Sequence, residues 1–262
     1  LNNNGIIGFE GTQSFAGEIL LEGDSGYLSI DGTSTFTLTS SALIHGKSGR
    51  IGQAIFAGGV GTLINQGTIR AEVAGGTIMV NPTIFTNTGT IATTGTGAIT
   101  IESSSWTQAG SLRAGPGQIN LGGSIADGKI GTVVSEGGTV ALTGNLDLKG
   151  GALNLNSTTG PISIAGAAIS NGSIVQSGTG RLILTSQSQN ALDNIQLTGD
   201  LDLTAGSIRA RIRNGLTLVS GRVRLNNNGV IGFDGSQVFA GEIILEGDSG
   251  YLSIDGTSTL TL

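Results

Sequence analysis

The chain writes one long stretch twice. Residues 1–38, LNNNGIIGFEGTQSFAGEILLEGDSGYLSIDGTSTFTL, return as residues 225–262 without a gap, at an offset of 224, with 32 of 38 positions identical. Of the six differences, only Ser14 against Val238 changes polarity. Two remote segments of one globular core meet different neighbours and have no reason to match so closely. Copies in a tandem array do, because each stacks on the same kind of neighbour. The sequence therefore predicts that residues 1–224 are one full repeat of a continuous solenoid, residues 225–262 the start of the next, and the whole a piece of a longer repetitive protein.

A finer period runs inside the long one. Ile64-Asn65-Gln66-Gly67-Thr68-Ile69 is echoed 22 residues on by Thr86-Asn87-Thr88-Gly89-Thr90-Ile91, and 21 further by Ala109-Gly110-Ser111-Leu112. A weaker echo is Ser170-Asn171-Gly172-Ser173-Ile174. Between echoes lie alternating apolar runs such as Thr77-Ile78-Met79-Val80 and Gln118-Ile119-Asn120-Leu121, the period-2 pattern of half-buried strands. No stretch keeps a helical i, i+3, i+4, i+7 pattern for ten residues without glycine. Units this short cannot bury their own apolar face and gain stability only by stacking. The expected fold is all-β: a parallel β-helix (β-solenoid) with about ten coils of ~22 residues per 224-residue repeat, each coil adding ~4.8 Å.

Composition agrees. Glycine supplies 47 of 262 residues without the third-residue spacing of collagen, which fits a chain that turns often. With no cysteine there is neither a disulfide framework nor a thiolate metal site. No apolar run approaches the ~18 residues of a membrane helix. A net charge of −6 argues against unspecific nucleic-acid binding. Asparagines at the corners, Asn65, Asn87 and Asn171, are expected to stack as an amide ladder. Phe9, Phe15, Phe36, Phe233 and Phe239 are expected to fill wider parts of the interior.

The recurring xNxGTI corner (Gly67-Thr68-Ile69, Gly89-Thr90-Ile91), followed by alternating Ile, Val and Leu strands, resembles the repeat regions of filamentous-haemagglutinin-type adhesins and giant bacterial surface proteins. That resemblance implies a right-handed β-helix held at or beyond the cell surface. It carries over no catalytic residue.

A search for chemistry finds little. His45 is the single histidine, too few for a zinc site without carboxylates alone beside it, and reads as a turn residue next to Gly46. Acid pairs suited by type to glycoside hydrolysis, Asp200 with Asp202, Glu18 with Glu22 and Asp24 with Asp31, lie in no recognisable cleft-building insertion. Glu22, Asp24 and Asp31 sit at turns with the oxygen chemistry of a surface Ca2+ ion, but not at the spacing of known calcium loops; no other cofactor is implied. Arg209, Arg211 and Arg213, with Arg222 and Arg224, alternate with apolar residues. Stacking would gather them into a cationic patch for an anionic glycan or a neighbouring filament, unless nearby acids such as Asp200 and Asp202 balance them. A carbohydrate-binding groove would have Trp106 and Tyr27 as its aromatic platform. The reading that gathers most of these features is non-enzymatic: the structural shaft of an extracellular fibre or giant adhesin, its partners being further copies of its own repeat, neighbouring filaments or glycans.

Overall fold

The structure, a computed structural model, describes residues 1–262. It contains strands, turns and no helix, and the chain winds as a parallel β-solenoid of about twelve turns. Contacts divide it into two compact units, Leu1–Ala141 and Leu142–Leu262, a boundary that does not coincide with the sequence repeat.

In the first unit each coil contributes three short strands to three parallel ladders. One ladder runs through residues 26–31, Gly49–Ile51, Thr77–Val80, Ala98–Ile101 and Gln118–Leu121. A second runs through residues 35–38, Thr62–Asn65, Ile84–Asn87 and Ser105–Gln108. The third joins Glu18–Leu21, Leu43–Gly46, Thr68–Ala71, Thr90–Thr93, Ser111–Ala114 and Thr132–Ser135. The long strand Gly26–Leu38 serves two ladders, its halves pairing with different strands of the next coil. Registers advance by 20 to 22 residues over the later coils; the step from residue 35 to 62 is longer, because residues 52–61 form an extra loop.

Alternation decides which side chains enter. Ile78, Ile99 and Ile119 lie in register on successive coils, as do Val80, Ile101 and Leu121, and all six are fully buried. The third ladder stacks Ile44, Ile69, Ile91 and Leu112 in the same way. Each such side chain contributes ~1.5–3 kcal/mol of burial, and like stacked on like keeps the coil cross-section constant.

The second unit repeats the principle with longer strands. Ala168–Gln176, Ala191–Thr198, Arg209–Ser220, Gly229–Asp234 and Gly250–Asp255 form one parallel ladder. Leu201–Leu203, Val223–Leu225 and Ile243–Leu245 form another. The duplicated stretches take the same coil geometry, each within its own unit. Residues 5–10 pair with 26–31 in the first copy, as Gly229–Asp234 pair with Gly250–Asp255 in the second. Gln13 lies opposite Phe36 as Gln237 lies opposite Leu260. Asn3 and Asn4, at φ 50° and 63°, share the left-handed bend of Asn227 and Asn228, at 48° and 64°. Phe36, Phe233 and Phe239 are buried; Phe9 and Phe15, on the first coil, are half-buried beside Phe36.

Glycine at the xNxG corners has a reason other than the one composition suggested. A Cβ on Gly67, Gly89 or Gly110 would fall closer than 3.0 Å to a backbone carbonyl of the preceding coil, on Ala42, Gly67 and Gly89 respectively. These glycines permit close stacking of backbones. In the second unit, left-handed bends at Asn171, Asn194 and Asn214, with φ of 54°, 55° and 50°, recur on successive coils, a conformation asparagine tolerates.

Candidate functional site

Polar side chains line up along the stack, coil over coil, in several columns. The most buried is an amide ladder: the Asn65 Nδ2 donates to Asn87 Oδ1 at 2.6 Å, and the Asn87 Nδ2 donates to Gln108 Oε1 at 2.8 Å. All three residues are at most 1% exposed. The sequence placed Asn171 in this ladder, and that is corrected: the third rung is Gln108. Asn171 is exposed in the second unit and starts a separate column, taking a hydrogen bond from Asn194 Nδ2 and donating to Asp147. Asparagine at an echo of the corner motif therefore marks two different devices, a buried amide inside the wall and a left-handed bend outside it.

Of the two readings of the arginines, an open cationic patch or bases balanced by nearby acids, the structure shows the balanced one for all but Arg209. Arg211 and Arg213 both reach Asp234, at 2.8 and 3.1 Å. Arg224 donates twice to Glu246, at 2.7 and 2.8 Å, and once to Asp202 at 3.2 Å, bridging three successive coils. Arg222 faces Glu242 at 3.5 Å, and its backbone N–H donates to Asp200. Asp200 and Asp202 thus serve arginines rather than facing each other across a cleft. Arg209 is exposed and lines a surface cavity. Asp200 and Asp202 were named from the sequence as possible partners; Asp234, Glu242 and Glu246, which come from the following coil, were not.

His45 is not a turn residue. It sits in Leu43–Gly46, its Nε2 2.7 Å from Glu18 and its Nδ1 2.8 Å from Glu72, which Arg70 also contacts. Burial opposes ionisation of Glu72, but hydrogen bonds from His45 and Arg70 outweigh it and hold the carboxyl below the ordinary glutamate range.

Asp31 is the charged group sequence reasoning placed least well. It is 1% exposed, not a surface calcium ligand. Its Oδ1 accepts the backbone N–H groups of Ile55, Phe56 and Ala57, and its Oδ2 accepts Ser29 Oγ at 2.6 Å. Burial raises its pKa, yet these donors together lower it. The carboxylate thereby clasps the extra loop, whose Ile55, Phe56 and Val60 stand out at 39%, 65% and 44% exposure. Phe56 folds back over the backbone of Gly8, so that a Cβ there would meet the ring at 2.9 Å. The sequence reading, which recognised no insertion, missed both this loop and its buried clasp. Of the other two acids with calcium-ligand chemistry, Asp24 pairs with Lys47 at 2.5 Å and Glu22 is exposed, and no cluster of three metal-ligating side chains occurs.

Acid should act through these carboxylates. Asp31, Glu72, Asp147, Asp234 and Glu246 are all lowered. A lowered folded-state pKa contributes stability that is complete above the unfolded value of ~4 and is lost as pH falls through the lower folded value. Melting temperature followed by circular dichroism is expected to stay level from pH 7 to about 5 and to fall steeply below about 4. A rise on acidification would contradict these assignments.

Trp106 is also corrected. It is 1% exposed, stacks above Phe85 with ring centroids 6.3 Å apart, and donates its indole N–H to Gly122 O. It belongs to the core column Leu63, Phe85, Trp106 and offers no surface to a sugar. Tyr27 borders a shallow cavity of about 320 Å³ with Asp24, Arg50 and Met79. No helix is long and apolar enough to cross a membrane. No protein-family model, curated protein or solved structure matches the chain.

Proposed function

We propose that this chain is a stretch of the shaft of a long extracellular fibre or giant surface adhesin, a right-handed solenoid of 224-residue cassettes laid head to tail. The observation that carries the reading is the matched register of the two copies: Gly229–Asp234 lie on Gly250–Asp255 as residues 5–10 lie on 26–31. A cassette that begins each time with the same coil can be added without changing the stack. The work of such a shaft is mechanical. Parallel backbone pairing along the axis, a dry column of Ile, Leu and Val, and cross-coil ladders such as Asp202–Arg224–Glu246 resist bending and fraying together. Covalent continuity also leaves no exposed strand edge between cassettes. Of the residues singled out for partners, Arg211, Arg222 and Arg224 are then chiefly ties between coils, with lateral contact to glycans or other filaments a lesser role, while Arg209 stays exposed beside a surface cavity.

Cryo-electron microscopy of the native fibre tests this. The expected image has ~4.8 Å layers and a superperiod near ~48 Å, ten coils per cassette. Discrete particles, or a superperiod unrelated to ten coils, would remove the shaft reading.

A single-residue test is gentler. Replacing Arg224 with alanine strands Asp202 beside Glu246 at a part-exposed position. A loss of stability of ~1 kcal/mol is expected, largely reproduced by 1 M salt in the unaltered chain because part-exposed pairs are screened. Urea titration at two salt concentrations measures both.

A further inference from the structure

The two copies of the duplicated stretch differ in what covers one seat on their surface. In the first, Gly8, Ser29 and Asp31 form a seat that is filled: Phe56 lies over Gly8, and the carboxylate of Asp31 holds the amides of residues 55–57. In the second, the counterparts Gly232, Ser253 and Asp255 line an open cavity of about 330 Å³ together with Val230, Arg209 and Arg211. Seat and cavity have the same geometry. Ser253 Oγ donates to Asp255 at 2.7 Å as Ser29 Oγ donates to Asp31 at 2.6 Å, and Gly232 lies opposite Ser253 as Gly8 lies opposite Ser29. A Cβ on Gly232 would meet Asp255 and Ser253 but no aromatic ring. Asp255 is half-exposed where Asp31 is buried, and Leu252 and Ile254 are 37% and 47% exposed where Leu28 and Ile30 are covered.

We infer that the Gly232–Ser253–Asp255 cavity is a receptor for the loop of the following repeat, a further copy of residues 52–61 whose Ile-Phe-Ala amides bind Asp255 and whose phenylalanine covers Gly232. The inference rests on the tandem-array reading given above. Spacing supports it: the amide that reaches Asp31 first in sequence belongs to Ile55, 24 residues later. In a continued array the same loop arrives 24 residues after Asp255. Chemistry supports it too. A carboxylate with a serine donor beside it wants N–H groups converging from one side, and the apolar floor at Gly232 and Val230 accepts a ring. Arg209 and Arg211 of the preceding coil also wall the cavity, so the phenylalanine ring sits beside guanidinium groups, a favourable pairing. Each cassette would be locked onto the next by a loop closing over the join, making the junction as well held as the cassette interior.

The test extends the full chain past Leu262 by a second copy of residues 39–61 and follows amide hydrogen exchange by mass spectrometry. The appended Ile-Phe-Ala amides are expected to exchange about a hundredfold more slowly than in the free peptide, matching residues 55–57 of the same molecule. Asp255→Asn should cut that protection at least tenfold while leaving residues 55–57 unchanged; Asp31→Asn should do the reverse. Gly232→Leu, which fills the seat of the ring and leaves the carboxylate intact, is the second variant and should also release the appended loop. Appended amides that exchange as fast as the free peptide, or protection indifferent to both Asp255→Asn and Gly232→Leu, would overturn the proposal. The fibre image is independent of this result. A protected loop on particles without an axial repeat would end the shaft reading and keep the latch; an unprotected loop in a fibre with the ~48 Å superperiod would do the opposite.

Discussion

Gly89→Val is expected to be among the most damaging single changes in the chain, costing about 4 kcal/mol or more. The reason lies in the spacing of the stack. Gly89 has no positive φ to protect; its place is set by the Gly67 carbonyl and the Gln66 backbone of the coil before, both too near for a Cβ. Most overpacked sites cost only ~1–3 kcal/mol, because neighbouring side chains and backbone can shift. Here the obstacle is backbone that is itself hydrogen-bonded: Thr90 N–H donates to Gly67 O, and Gly89 N–H to Asn65 O. Relief requires parting two coils at a corner, which also opens the Asn65–Asn87 bond. Gly75 is the control. It stands at a corner with open space around it, but at φ +70°, so Gly75→Asn, which tolerates that region, should cost less than about 1 kcal/mol. Urea unfolding of both variants measures the contrast. Equal stabilities would show that close approach of coils does not govern the choice of glycine at the xNxG corner.

That contrast also shows where sequence reading stops. Alternation in runs such as Thr77–Val80 was sufficient to find strands, their inward faces and the coil period, because burial in a solenoid follows from position along the strand alone. The duplication located the repeat, because stacked copies meet the same surroundings. What stayed hidden were relations across coils. Arg224 reads as a base that Asp202 can balance, but its bridge onward to Glu246, with one acid 22 residues away in each direction, appears only once the coils are stacked. His45 reads as solitary because Glu18 and Glu72 are each 27 residues distant. Asn171 and Asn87 occupy similar words in the sequence but opposite sides of the wall. The 22-residue period could have signalled the ladders, since adding it to Asp202 gives Arg224 and adding it again gives Glu246.

Asn87→Ala probes the cross-coil relation directly, with an expected cost of about 4 kcal/mol. Asn87 is the middle rung of a dry ladder: it accepts from Asn65 and donates to Gln108. Removing it leaves the Asn65 Nδ2 and the Gln108 Oε1 buried without a close partner, at roughly 2 kcal/mol for each stranded group. The two ends of the ladder already carry one unpaired atom apiece, Asn65 Oδ1 and Gln108 Nε2, so neither end can turn its amide over to recover the loss without stranding another atom. The neighbouring Thr88→Ala touches an exposed side chain with one long bond, 3.3 Å to Asn65 O, and should cost less than about 0.5 kcal/mol. If the ladder is cooperative, Asn87→Ala combined with Asn65→Ala should cost well below the sum of the two single changes, because the second removes a group the first had stranded. Additive costs in that double-mutant cycle would mean the amides act as separate fillers, and the corner would owe its stability to backbone stacking alone.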